Sequence, residues 1–409
     1  MNKHLSAAAP AILALGTAVP QYQLQQATLS EWMAESFADQ PSIARLIRAV
    51  HAQSGIATRH SCIPDYGQTA QASRYALGGD LGGSASTAER MALYERESVP
   101  LALAAAEAAL AQLARERQLS PAALAAQITH LVAVSCTGFF APGLDFALTK
   151  QLPLQPTVDR QLIGFMGCAA AFNGLRSAVQ AVRSEPGALA LVVCVELASL
   201  HSYPDSSRDT LVAASLFADG AGAALVGYPT ADDRRYFTLD GFHSSIKPET
   251  EEEMAWQIGN HGFTLRLSPR VPAHLAEIAP TALARLFDHD APCFWAIHPG
   301  GRAIVERLAD IFALTPAQTA ATFAVLRDYG NMSSATILFV LHELQRQWQA
   351  AASHADGPSA PPRQGVAMAF GPGLVIEMAR LTYIDGPRGR ANGLVNGLPT
   401  TERQPQWVH

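Results

Sequence analysis

Gln161 to Arg183, QLIGFMGCAAAFNGLRSAVQAVR, runs from an apolar segment through Gly167 into a long stretch of small residues that opens at Cys168. Glycine ends the apolar run and small apolar residues then recur at helical spacing, so a helix is predicted to begin at the cysteine. A cysteine in a first helical turn sits beside unpaired backbone N–H groups and the positive end of the macrodipole. Both favour thiolate over thiol. Cys168 is therefore a candidate nucleophile, weighed against the commoner role of a buried cysteine as inert packing.

The flanks read as core strands. His130 to Val134 is a buried-type strand running into SCTGFFAPG, and ALALVVCVEL follows the helix after the turn signal Ser184-Glu185-Pro186-Gly187. LFADGAG, Leu216 to Gly222, reads as a glycine turn into the strand AALVGY. Its GxG lacks a third glycine and precedes a strand, which argues against dinucleotide binding. Gly78 to Ser86, GGDLGGSAS, lacks the Walker lysine and reads as an exposed loop. Upstream, Leu29 to Val50 has the spacing of one helix, followed by a loop carrying Arg59, and Pro100 to Leu119 is Ala/Leu-rich and helical; in the second half the strand FTLDGFHSS runs into an acidic loop with GNHGFTLRLSPRVP.

Composition bounds the answer. The 409 residues are 49% hydrophobic and 16% charged, enough for two α/β units with sizeable cores. A net charge of -6 leaves no basic footprint for nucleic acid. Cys62, Cys136, Cys168, Cys194 and Cys293 are odd in number and widely spaced, which favours neither a metal site nor a disulfide framework. A reducing cytoplasm fits them. MNKHLSAAAPAILALGTAVP has the basic start and apolar run of a signal peptide, but Pro10 interrupts the run and ILALGTAVP reads as a first strand. No run reaches the roughly 18 apolar residues of a membrane span.

An internal repeat organises the chain. In the first half, strand HLVAVSCTG precedes GCAAAFNGL, which precedes FADGAGAALVG; in the second, CFWAIHPGG precedes GNMSSATIL, which precedes FGPGLVIEM. Cys136 and Cys168 are 32 apart (168 minus 136), and His298 and Asn331 are 33 apart (331 minus 298). Doubled α/β units bury a sheet face against their copy in a layered core, and equivalent loops converge near the pseudo-twofold axis. Cys168 and Asn331 occupy equivalent positions, and His298 lies at a strand-to-loop boundary of the kind that carries sites in α/β folds. The divisions expected are residues 1–230 and 231–385, with a polar tail over 386–409.

The blocks GFMGCAAAFNGL, LFADGAGAALVG, WAIHPGGRAI, LRDYGNMSSATILFVL and FGPGLVIEM resemble the type III polyketide synthases, the chalcone synthase-like branch of the thiolase-fold condensing enzymes. The resemblance covers about residues 10 to 384 and implies an α/β, thiolase-like fold with a layered αβαβα core. It implies that Cys168 accepts the acyl group, with His298 and Asn331 as partners. Phe217 corresponds to a gatekeeper between CoA tunnel and cavity, and Gly371, Pro372 and Gly373 to a cyclisation-pocket loop. Cys136, Ala141, His201, Gly262 and Ser333 fall where family members line the cavity. Cys136 and His201 stand where plant enzymes usually carry threonine, and Ala141 where they carry methionine. SCTGFFAPG and FMGCAAAFNG look more like bacterial members. Arg45, Arg48 and Arg59 are loose matches to the basic residues that plant enzymes use on CoA.

The chemistry implied is acyl transfer: an acyl-CoA starter loads on Cys168, malonyl-CoA loses CO2, and the resulting enolate extends the chain before cyclisation to a pyrone or a resorcinol-type phenol. An imidazolium at His298 would hold Cys168 as thiolate. No metal or cofactor is called for. A homodimer is expected from the family alone. A fatty acyl starter is favoured by the small Ala141, with aromatic and malonyl starters open. The rivals are a ketoacyl synthase III-like condensing enzyme, a cysteine hydrolase and a non-catalytic acyl-binding protein.

Overall fold

The computed structural model describes residues 9–64, 66, 85–202, 206–287, 291–352 and 361–386, and every structural statement below concerns these. Nearly all of the tail expected over 386–409, most of the glycine stretch 78–86 and much of the loop near 352–363 lie outside them. In the first half the elements are β1 (Ala11–Ala18), β2 (Tyr22–Gln25), α1 (Gln26–Glu35), α2 (Pro41–Gln53), β3 (Thr58–Ser61), α3 (Thr87–Glu116), α4 (Pro121–Ala125), β4 (His130–Ser135), α5 (Leu144–Gln151), β5 (Asp159–Gly164), α6 (Ala170–Ser184), β6 (Ala190–Leu197), α7 (Arg208–Leu216) and β7 (Asp219–Gly227). The second half supplies β8 (Arg235–Ile246), β9 (Met254–Gly259), β10 (Gly262–Leu267), α8 (Val271–Ala284), β11 (Phe294–Ile297), α9 (Arg302–Ile311), α10 (Pro316–Tyr329), α11 (Thr336–Ala352), β12 (Arg363–Gly371) and β13 (Val375–Asp385).

Nine strands form one sheet in the order β11-β12-β13-β8-β1-β7-β6-β4-β5. The predicted repeat is written into its pairings. β4 is parallel to β6, β6 antiparallel to β7, and β7 antiparallel to β1. β11, β12, β13 and β8 repeat that series in the same order. β1 and β8 then meet antiparallel at the centre, through Ala11 opposite Thr238 and Ile12 opposite Phe237.

Alternation along each strand sorts side chains onto two faces. Leu131, Ala133, Leu191 and Val193 pack with Ala102, Ala105 and Ala109 of α3. Their neighbours Val132, Val134 and Val192 turn the other way, onto Phe172 and Val179 of α6 and Leu338 and Leu341 of α11. Ala296, Ala367 and Ala379 of the second half join that same cluster, whereas Ile297, Val366 and Met378 pack with Leu275 of α8 and Leu308 of α9. Across the molecule the layers run α3, first half-sheet, α6 with α11, second half-sheet, α8 with α9. This is the αβαβα core of a thiolase-like fold. The half-sheets do not press face on face, as a doubled unit first suggests; the central helices separate them, and every residue of α11 from Thr336 to Leu341 is buried. A helix apolar on all sides needs such a place.

Three local expectations change. The single helix over Leu29 to Val50 is two, α1 and α2, and α2 opens with Pro41 at its first position, where proline is favoured. Arg59 lies on β3, paired with Leu24 of β2, and not in a loop. The acidic loop folds as the short turn Pro248–Glu253 and the hairpin β9–β10.

Candidate active site

Cys168 sits in a single 3-10 turn, Gly167–Ala169, and α6 continues from Ala170, two residues later than the sequence suggests. Gly167 has φ +63, and a Cβ on it would lie 2.2 Å from Pro372 Cδ. Only glycine allows this turn to touch the loop between β12 and β13. In the second half, Asn331 precedes the matching turn Ser333–Ala335 and α11. Its backbone is held by the first half: Asn331 N–H donates to Leu216 O and Ala218 N–H donates to Asn331 O, both at 2.9 Å. His298 directly follows β11, and its N–H donates to Met368 O at 2.8 Å.

These turns line a cavity of about 670 Å³, counted with the solvent space onto which it opens. Cys168, His298, Asn331, Phe217, Cys136, Ser333 and Pro372 all line it. Cys168 Sγ lies 3.9 Å from Asn331 Oδ1. That oxygen accepts Ser333 N–H at 2.9 Å, and Asn331 Nδ2 donates to Gly300 O at 3.2 Å. The amide is thus oriented, with one Nδ2 hydrogen left for a ligand. Both ring nitrogens of His298 are buried without a protein partner. Such orphans mark a place where something else supplies the hydrogen bond.

Burial governs the titrations. It pushes the Cys168 thiol up to about 12, helped by the Glu196 carboxyl, and pulls the His298 imidazole down to about 3. Desolvation therefore opposes the imidazolium–thiolate pair expected from sequence, and attraction between the two charges is what favours it. Glu196, near the end of β6, accepts Cys136 N–H at 3.0 Å and Thr137 Oγ1–H at 2.9 Å, together with Ser334 Oγ–H from the second half. Burial pushes its carboxyl up to about 7.

The models of the chalcone and stilbene synthase family match this chain twice, the N-terminal domain over residues 1–230 and the C-terminal domain over residues 241–384. The chain belongs to the chalcone and stilbene synthase family. It is a type III polyketide synthase and hence an acyltransferase. It is 32% identical over 372 residues to the alpha-pyrone synthesis polyketide synthase-like Pks18 of Mycobacterium tuberculosis, covering 89% of this chain and 88% of that one. It is 34% identical over 296 residues to bisdemethoxycurcumin synthase of Oryza sativa subsp. japonica, covering 69% of this chain and 70% of the other. The crystal structure of PKS-I from the brown alga Ectocarpus siliculosus superposes with a TM-score of 0.82 at 30% identity, over 93% of this chain and 100% of that one. The C-terminal type III domain of Steely1 from Dictyostelium gives a TM-score of 0.79 at 26% identity, over 92% and 99%.

Not every predicted residue reaches the synthase cavity. Ala141 is exposed on the loop before α5. Gly371 and Gly373 flank Pro372 but leave the lining to it. Gly262 opens β10, and a Cβ there would lie 3.1 Å from Arg90 Cδ and 3.3 Å from His201 Nδ1. His201 lines a smaller cavity of about 400 Å³, which shares Ala198, Phe217, Trp256 and Leu265 with the first. Its ring is already committed: Nε2 lies 2.7 Å from Thr137 O and Nδ1 accepts Phe263 N–H at 3.0 Å. The CoA expectations also change. Arg48 is tied to Glu31 on the surface at 2.9 Å, and Arg59 is 1% exposed, sealed inside and unable to meet a cofactor phosphate from solvent. A wider cleft of about 950 Å³ adjoins the reactive cavity through Leu267, Gly300 and Ile304, and its cations are Arg208 and Arg302, the second of them paired with Glu306 at 2.7 Å on the surface as Arg48 is with Glu31.

Sequence reasoning missed Trp256, whose Nε1–H donates to Cys136 O at 2.8 Å, because it stood in what read as a loop. Glu196 carried a signal, a carboxylate ending an otherwise apolar strand. His201 gives a pH test. Burial pulls it from 6.5 to about 3, so between those values the unfolded chain binds the extra proton and stability falls as pH drops. Glu196 acts oppositely, its folded carboxyl keeping a proton that the unfolded one releases. His201→Gln is expected to shrink the loss of melting temperature between pH 6.5 and about pH 5, by calorimetry; an unchanged slope counts against this assignment.

Proposed function

We propose that Cys168 carries the growing chain, that His298 and Asn331 act on both thioester partners, and that the substrates are an acyl-CoA starter and malonyl-CoA. The observation that carries this reading is the meeting of the three side chains in one cavity from three separate turns. In loading, the Cys168 proton passes to His298, the sulfur attacks the starter thioester, and CoA leaves with that proton. In extension, the C–C bond to the malonyl carboxylate breaks, CO2 departs, and the electron pair becomes an enolate. The His298 ring N–H and the free Asn331 Nδ2–H are donors for its oxygen. The enolate carbon then attacks the Cys168 thioester and releases the sulfur for another round. No metal or cofactor enters these steps, because decarboxylation supplies the driving force.

The name of the mycobacterial relative, together with a mainly apolar lining, favours a fatty acyl starter and a pyrone or resorcinol-type product. A ketoacyl synthase III-like enzyme would take malonyl groups from a carrier protein; the cleft leading past Gly300 to two arginines favours free CoA thioesters. The unpartnered nitrogens of His298 count against a non-catalytic binding protein. The unpaired cysteines, four of the five at least partly buried, fit a cytoplasmic site of action. Among the described residues no helix is long and apolar enough to cross a membrane. For a homodimer the support is β5, which ends the sheet with Leu162 43% exposed beside Met166 at 42% and Phe146 at 47%. A free edge with an apolar rim invites a second copy.

Cys168→Ala is expected to abolish polyketide formation while retaining malonyl-CoA decarboxylation, and Asn331→Ala to lose CO2 release by about a hundredfold or more, as removal of an oxyanion donor does. Labelled malonyl-CoA with a panel of acyl-CoA starters, followed by mass spectrometry, reads both. Condensation at the wild-type rate in Cys168→Ala rejects the scheme. Arg208→Ala and Arg302→Ala are each expected to raise KM for malonyl-CoA by about three- to tenfold with kcat kept, and to leave the malonyl N-acetylcysteamine thioester unaffected. Equal losses on both thioesters would place the phosphates elsewhere. Leu162→Lys is expected to turn a dimer into monomers in sedimentation velocity.

A further inference from the structure

We infer that Arg59 is a positioning residue for Phe217, and that it thereby fixes the wall at which the reactive cavity ends. Arg59 projects from β3 and is 1% exposed. Its Nη1 donates to Ala214 O and Phe217 O, both at 2.7 Å. Those are carbonyls of the C-terminal turn of α7, which a helix leaves unsatisfied and where the macrodipole favours a cation. No carboxylate forms an ion pair with Arg59 among the described residues, and its Nε and Nη2 are buried without partners. A charge held inside on such terms is costly, and the return it gives is the placement of the α7 terminus.

The other side of the clamp is equally tight. Gly330 has φ +73, and a Cβ on it would lie 3.1 Å from Arg59 Cγ and Cδ and 3.1 Å from Leu216 O. The arginine stem therefore runs along the residue before Asn331, while Phe217 forms a bridge with Asn331 itself. One side chain of the first half thus packs against both strands of the bridge. Phe217 lines the reactive cavity and the smaller cavity beside His201 alike, so it stands in the wall between them. If the α7 terminus loosens, the two spaces merge and a longer chain fits before cyclisation. Lysine cannot replace the arginine fully, since its stem is shorter and its compact, more strongly hydrated ammonium is costlier to hold at two buried carbonyls.

This rests on the reading that the Cys168 cavity builds polyketides, and the experiment separates the two. Full-length wild type, Arg59→Lys and Arg59→Met are incubated with one acyl-CoA and labelled malonyl-CoA, with products weighed and CO2 release followed in parallel. Arg59→Met is expected to move the main product by one or more malonyl units while CO2 release stays within about threefold of wild type, and Arg59→Lys to give a mixture. In a Phe217→Ala background, Arg59→Lys is expected to change the product spectrum no further. A wild-type product spectrum in Arg59→Lys, or in a folded Arg59→Met, with only a lower melting temperature overturns the positioning role. So does an Arg59→Lys effect that persists at full size in the Phe217→Ala background. If wild type itself makes no polyketide, it is the underlying function that falls.

Discussion

The burial of α6 and α11 between two half-sheets is the constraint from which the site follows. Neither helix has a solvent face at its start: the turns before them, around Cys168 and Asn331, sit where both halves press inward. Apolar area drives the helices there, at about 25 cal/mol per Å² removed from water. The polar groups at the N-terminal ends are carried along. A duplicated unit has two such ends, and pseudo-symmetry brings both to one place. The catalytic candidates are thus delivered by the same force that closes the core.

That delivery has an electrostatic consequence. A cavity whose lining includes Leu265, Leu267, Ile304 and Phe370 gives charges little help, and burial shifts the Cys168 thiol and the His298 imidazole toward their neutral forms, as it does the buried Glu196 carboxyl behind Cys136. The same dryness strengthens every hydrogen bond offered to a substrate oxygen. On the proposed scheme, an enolate formed here would bring its own charge to the His298 and Asn331 N–H donors. Loading and extension then differ in which group carries charge: sulfur in the first, enolate oxygen in the second.

Much of this was legible in the sequence. The repeat of strand, glycine turn and helix located the equivalent turns, and spacing alone set Cys136 against His298 and Cys168 against Asn331. What resisted was whatever depends on packing between distant segments. The sequence puts Arg59 in a loop and the resemblance matches it loosely to CoA, yet alternation on β3 sends it inward to the end of α7. The resemblance sets His201 against the cavity, yet Thr137 O and Phe263 N–H already occupy its two ring nitrogens. Trp256 had no local pattern to mark it. The split of one expected helix into α1 and α2 was readable at Pro41, a residue favoured at a helix's first position.

The boundary between the halves, plain along the chain, is not a mechanical boundary. Glu196 of the first half accepts from Ser334 of the second, Asn173 and Arg176 reach Glu377, and the Asn331 backbone is paired on both sides of its peptide with Leu216 and Ala218. Each link lies within a few residues of a group that lines the cavity. Sliding one half on the other would break buried charged or backbone hydrogen bonds, which cost far more to lose than exposed ones. An enzyme that repeats one reaction on a lengthening chain needs the reacting atoms fixed while the tail of the substrate changes. Stitching the two halves together beside the cavity meets the first of these demands.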